Sequence, residues 1–271
     1  TFMANSSDLE IAISKAESIR MKMQNMPSFK RYQALMYISD SLNEQIEYFA
    51  EILSKESGKP MIYSKGEIMR SVETFKIAAE ESKRISGEVL QLDWTPAGEN
   101  KQGLVKYFPI GLVAGISPFN FPMNLAVHKI APALAAGCPI ILKPSTNTPL
   151  STLALARIID QTEFPKGAVS ILPMDRKTGN QLVTDDRFKL LSFTGSPQVG
   201  WMMKAMSGKK KVVLELGGSD PFVVFADADL EKAAKGAAMG RFLNCGQSCI
   251  AAKRFIVESS VAAKFPEHFK I

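Results

Sequence analysis

Apolar positions recur at three- and four-residue spacing through the first 87 residues, which predicts a helical layer. "SSDLEIAISKAESIRMKMQNM" opens on a Ser/Asp helix start. "SFKRYQALMYISDSLNEQIEYFAEILSKESGKP" keeps the spacing until Gly58 and Pro60 stop it, and a third helix runs from about Met61 to Gly87. Two short strand-like runs follow, "GEVLQL" and "GLVKYF", around the turn-rich "DWTPAGENKQ". They predict a hairpin over 88–107 that leaves the main body.

From Gly111 the pattern switches to strict alternation. Strands "GLVAGI", "CPIILK", "VSILP", "KLLSFT" and "KVVLEL" alternate with the helices "NLAVHKIAPALAAG", "PLSTLALARIID", a short one near "TGNQLVTD", and "SPQVGWMMKAM". That order implies an α/β fold with a parallel sheet, right-handed crossovers and flanking helices. After Gly218 the register restarts with "PFVVF", the helix "ADLEKAAKGAAMGRFL" and "AKRFIVE". Residues 1–217 are therefore expected to form one domain and 218–271 the incomplete start of a second α/β domain. The chain opens on Thr-Phe-Met and ends on Phe-Lys-Ile in an unfinished helix, as a piece of a longer protein would.

Composition narrows the function classes. At 46% hydrophobic and 22% charged, a chain of 271 residues can bury a sizeable core. His128, Lys129, prolines and Gly137 interrupt its most apolar stretch, Phe121 to Leu142, so no membrane span is expected. The excess of 33 Lys and Arg over 27 Asp and Glu is scattered, which argues against a nucleic-acid surface. Three cysteines and no recognisable signal peptide favour a reducing cytoplasm over a disulfide framework.

Parallel sheets bind ligands beyond the carboxyl ends of their strands, so the loops there hold the candidate chemistry. "SPFNFP" places Asn120 on a rigid loop where its amide could donate to an oxyanion or simply satisfy loop backbone. "LKPSTNTP" ends a buried strand on Lys143, able to hold a ribose hydroxyl or a phosphate, or only to reach solvent. "FTGSPQVG" sets Gly195 and Ser196 at a strand-to-helix turn suited to a pyrophosphate, without a G-x-G-x-x-G or P-loop pattern. "LELGGSDP" ends a strand on Glu215, a possible base or a solvated side chain. "NCGQSC" holds Cys245 and Cys249, which could form a metal half-site, a redox pair or a nucleophile; with only two histidines in the chain, a nucleophile needs another base.

In this order and at these spacings the five motifs resemble the aldehyde dehydrogenase superfamily over nearly the whole chain. The resemblance implies a Rossmann-like NAD(P)-binding domain, with Cys249 as nucleophile, Glu215 as general base and Asn120 in the oxyanion hole. Cofactor contacts are implied for Ile116, Ser117, Phe119, Lys143, Ser145, Thr146, Gly195 and Ser196, and Cys245 is expected in packing. A thiolate would convert an aldehyde to a thiohemiacetal able to give up hydride, and Glu215 would direct water onto the thioester, so no histidine is required. Retention of Glu215 argues against the CoA-acylating branch.

Many NAD-preferring members carry a glutamate where Thr146 stands, so NADP as well as NAD is expected as cofactor. Similarity to succinate-semialdehyde, lactaldehyde and non-phosphorylating glyceraldehyde-phosphate enzymes implies a small polar or carboxylated aldehyde. By the same resemblance the full-length protein is a homodimer or homotetramer, with the 88–107 hairpin a candidate contact. Alternatives are an inactive cofactor-domain fragment or binding module, and a thiol hydrolase that leaves the Lys143 and Gly195 loops idle.

Overall fold

The computed structural model describes residues 1–269. The N-terminal layer comprises α1 (Ser6–Ser18), α2 (Arg20–Gln24), α3 (Ser28–Glu44), α4 (Ile46–Ser57) and α5 (Met61–Ser82). Two of the expected helices are broken, at Ile19 (φ −102°) and Gln45 (φ −113°), where the backbone leaves the helical region. Apolar spacing continues across both breaks, so the periodicity does not reveal them. Gly58 ends α4 at φ 72°, its N–H donating to Ser54 O, and Pro60 precedes α5.

The predicted hairpin is present as antiparallel β1 (Glu88–Gln91) and β2 (Gln102–Val105). The alternating region supplies β3 (Val113–Ile116), α6 (Pro122–Ala135), β4 (Ile140–Lys143), α7 (Leu150–Asp160), β5 (Val169–Ile171), α8 (Arg176–Thr184), β6 (Leu190–Gly195), α9 (Pro197–Met206) and β7 (Lys211–Leu216). Their sheet has the order β5-β4-β3-β6-β7, and β3 runs parallel to both β4 and β6. The order reverses at β3, the position beyond which open sheets of this class bind ligands. The expected α/β class is borne out. Leu35, Ile38 and Phe75 of the helical layer share one core with Ile130 and Leu134 of α6 and Ile140 and Leu142 of β4.

The chain divides into two compact units. The first comprises Thr1–Thr194 with Met202–Leu214; the second gathers Gly195–Trp201 and the described chain from Glu215 onward. In the second unit β8 (Asp220–Val224) pairs in parallel with β9 (Ala252–Val257), joined through α10 (Leu230–Phe242), and Val224, Ala234, Ala237 and Phe265 form its small core. A 3-10 turn covers Phe265–Phe269, and the rest of the expected C-terminal helix, 270–271, lies outside the described residues. No described helix is long and apolar enough to cross a membrane.

Arg187 ties α1 to the α8–β6 connection. Its guanidinium donates to both carboxylate oxygens of Glu10 at 2.7 and 2.6 Å and to Asp185 at 2.6 to 3.2 Å. These hydrogen bonds hold the Asp185 carboxyl below its ordinary value of 3.8. Its contribution is therefore present above about pH 4 and lost as pH falls through the lowered folded value. Asp185→Asn should lower stability by up to about 1 kcal/mol at pH 7 and by almost nothing near pH 2. Thermal unfolding of both proteins at the two pH values checks this, and an equal gap at both would contradict it.

Candidate active site

The sequence-predicted site residues fall on both units. In the first, the β3 strand delivers buried Ile116 and Ser117, and the chain then turns through exposed Phe119 and half-buried Asn120 into α6. This turn is held from beneath. Lys59, on the Gly58–Pro60 connection, donates through Nζ to the Asn120 carbonyl oxygen at 2.7 Å and to Glu67 Oε2 at 2.7 Å, and its ammonium lies 4.8 Å from the Phe121 ring centroid. Glu67 Oε1 accepts the N–H groups of Met123 and Asn124 at 2.9 and 3.1 Å, so a carboxylate of α5 caps α6. The Lys59 and Glu67 side chains are only 5% and 0% exposed. Burial pushes the Glu67 carboxyl up from its ordinary value, opposed by Lys59 and the two amides.

Glu56 does the same for α7. Its carboxylate accepts the N–H groups of Leu150 and Ser151 at 2.6 and 3.1 Å and the Ser151 hydroxyl. Protein carboxylates thus occupy the positive ends of α6 and α7, leaving neither for a ligand phosphate.

Lys143 ends β4 half-buried, its carbonyl accepting Ser117 N–H at 3.1 Å. Gly179 of α8 makes room for its stem: a Cβ there would lie 3.1 and 3.2 Å from Lys143 Cδ and Cε. Burial lowers the Lys143 ammonium from its ordinary value, with Asp175 opposing. The Ser117 hydroxyl is buried and has no protein hydrogen-bond partner among the described residues, which fits a polar ligand at this edge. The Ser145 hydroxyl accepts Asn147 N–H at 3.3 Å within the loop, and Thr146 is exposed.

In the second unit, Gly195 and Ser196 lead into α9. The Ser196 carbonyl accepts Gly200 N–H at 3.0 Å and its exposed hydroxyl accepts Val199 N–H at 3.4 Å. Glu215 is exposed near the end of β7, and the two glycines after it run close to other site segments. A Cβ at Gly217 would lie 3.8 Å from Pro197 Cδ, and one at Gly218 would lie 3.5 Å from the Cys249 carbonyl oxygen. The α9 turn, the segment after Glu215 and the Cys249 turn are thereby gathered together.

Cys249 is exposed on a constrained turn. Between the pairs Asp220–Ala252 and Pro221–Arg254 the register shifts, so Lys253 is the extra residue of a β-bulge. Its Nζ donates back to the carbonyls of Ser248, Cys249 and Ala251 at 3.3, 2.8 and 3.2 Å. Upstream, Asn244, Cys245 and Gly246 adopt φ of 52°, 57° and 73°, a left-handed run that is strained at its two non-glycine members. Cys245 is exposed, against the expectation that it packs, while Asn244 beside it, with the same left-handed backbone, is buried.

The sequence model of the aldehyde dehydrogenase family matches residues 2–270. The chain belongs to the aldehyde dehydrogenase family. It is 39% identical over 269 residues to a 3-sulfolactaldehyde dehydrogenase of Priestia aryabhattai, covering 99% of this chain and 56% of that protein. Aldehyde dehydrogenase 21 from Physcomitrella patens, solved with the reaction product succinate, superposes with a TM-score of 0.93 at 44% identity, covering 98% of this chain and 56% of that one. Glyceraldehyde-3-phosphate dehydrogenase from Methanocaldococcus jannaschii, solved with NADP, gives 0.89 at 36% identity, covering 99% and 59%. The chain thus spans about half the length of the relatives it matches.

Lys59, Glu67, Glu56, Gly179 and Lys253 were not singled out from this aldehyde dehydrogenase sequence, and neither was Lys129. Lys129 is buried on α6 and donates to Thr194 Oγ1 at 2.7 Å. A lysine inside the most apolar helical stretch was the available signal. The exposures of the cysteines yield a direct check. In this 271-residue chain, when folded, a thiol reagent should modify Cys245 and Cys249 rapidly and Cys138 only on unfolding, and Cys245→Ser should remove one fast equivalent. A single fast thiol in the wild type would contradict this.

Proposed function

We propose that the whole protein oxidises an aldehyde to a carboxylic acid with NADP+ or NAD+. What chiefly supports this is an exposed thiol on a constrained turn, beside the segment that follows Glu215 and the start of α9. The Cys249 thiolate attacks the aldehyde carbon, and the Asn120 amide donates to the oxygen that becomes negative. NAD(P)+, when bound, supplies the acceptor for the hydride leaving that carbon. A thioester remains on Cys249. Glu215 takes a proton from water, whose hydroxide displaces the thiolate and releases the acid.

Ser117 and Lys143 at the strand ends, with Ile116, Phe119, Ser145 and Thr146 around them, are the proposed adenosine-side contacts, and Gly195 with Ser196 the pyrophosphate turn. The closed N-termini of α6 and α7 favour that last assignment. Neutral, exposed Thr146 presents no charge to a 2′-phosphate, so NADP+ should be accepted with less than a tenfold penalty in kcat/KM, about 1.4 kcal/mol.

A small polar or carboxylated aldehyde such as succinate semialdehyde is the proposed substrate, with lactaldehyde- or glyceraldehyde-type compounds as the alternative. Both the succinate bound in the Physcomitrella structure and the sulfonated aldehyde named for the Priestia relative are small and anionic. The β1–β2 hairpin bears exposed Val89, Leu90, Trp94 and Leu104, which supports its use as a contact in a homodimer or homotetramer. The proposed setting is the cytoplasm.

The test is reduction of NADP+ and NAD+ by the whole protein over a panel of small aldehydes. Cys249→Ser should abolish turnover by on the order of a thousandfold or more. Glu215→Gln should release one equivalent of reduced cofactor and then stall. No reduced cofactor with any aldehyde, or a Cys249→Ser variant at the wild-type rate, would overturn the reading.

A further inference from the structure

We propose that Lys59 and Glu67 are positioning residues for Asn120, a role that rests on the reading of Asn120 as the oxyanion donor. Neither residue is at a strand end, and neither belongs to the motifs that carry the family resemblance. Yet the buried pair reaches four successive features of the loop. Lys59 Nζ holds the Asn120 carbonyl and faces the Phe121 ring, while Glu67 Oε1 holds the amides of Met123 and Asn124.

The geometry explains how the pair would act on the Asn120 side chain through its backbone. A hydrogen bond to the Asn120 carbonyl fixes the peptide plane on the carboxyl side of its Cα. Pro122, with its φ locked, and two capped amides fix the chain two to four residues further on. Peptide orientation on one side and a fixed helix start on the other leave the Cα–Cβ direction little freedom. An amide that must meet a developing charge needs that restriction, because a misplacement of about 1 Å can reduce a rate by about a hundredfold.

Stability alone is a poor account of the pair. Removing two charges from water opposes much of their attraction, and buried ion pairs can often be replaced by apolar neighbours with little loss. A neutral cap would satisfy the Met123 and Asn124 amides. Only a long cation that is itself held in place reaches the Asn120 carbonyl across 61 residues of sequence, and Glu67 is what holds it.

A double-mutant cycle in the whole protein separates positioning from general support. Lys59→Met with Glu67→Gln removes both charges together and avoids stranding one; Asn120→Ala removes the donor. In the wild-type background the paired substitution should lower kcat/KM for the aldehyde at least tenfold, while the dissociation constant of NADP+ changes less than twofold. In the Asn120→Ala background it should lower kcat/KM by less than twofold, although the melting temperature shifts equally in both. Should the double variant fail to fold, Glu67→Gln alone, which keeps an acceptor for the two amides, takes its place with the same expectation in each background. Equal losses of kcat/KM in both backgrounds, or no loss in either, would overturn the positioning role. An Asn120→Ala protein at the wild-type rate would instead remove the role of Asn120 itself, and the proposal with it.

Discussion

An ammonium and a carboxylate that have both left water must find partners inside the protein, and the partners of Lys59 and Glu67 determine how the Asn120 loop enters α6. Between them the two side chains satisfy one another, one carbonyl and two amides at the point where β3 gives way to α6. Glu56 repeats the arrangement at α7. Helix starts that a dinucleotide fold ordinarily offers to phosphate are closed by the protein's own carboxylates. The helical layer is thus more than a cover for the sheet: its carboxylates close the starts of α6 and α7.

The second unit reaches local rigidity by different means. A left-handed run at Asn244–Gly246 and a bulge at Lys253 bracket the Cys249 turn, and the bulged lysine folds back onto three of its carbonyls. A Cβ at Gly218 would be in ordinary contact with the Cys249 carbonyl oxygen at 3.5 Å and would press on the Asp220 carboxylate at 3.0 Å. A reactive thiol gains from such a seat because it can stay exposed while its backbone is fixed.

Most of the sheet was legible in the sequence because its signals are local: short β-branched runs, glycines at turns, prolines at helix starts. The glycine-marked loops were legible for the same reason. Breaks at Ile19 and Gln45 were not, since tertiary packing keeps apolar residues in phase across them. Lys59 and Glu67 look like ordinary helix-end and helix-surface charges, and only the fold brings them to a loop far along the chain. The expectation that Cys245 packs rested on the resemblance alone, and exposure is decided by the local fold. For Asn120, Lys143 and Glu215, residue type and loop position left two readings each, and the resemblance carried by all five motifs together was what distinguished them.

Membership of the family accounts for the order of the motifs, and the local geometry accounts for why each side chain stands as it does. The proposed chemistry is covalent: a carboxylic acid would be formed by way of a bond to one particular sulfur. Rapid acid quench of the whole protein after mixing with aldehyde and NADP+, followed by peptide mass measurement, tests it most directly. The account predicts one acyl adduct, of substrate mass less two hydrogens of the free aldehyde-thiol pair, on the peptide carrying Cys249 and on no other. Turnover with that peptide unmodified at every quench time, or an adduct on Cys245 in its place, would contradict it.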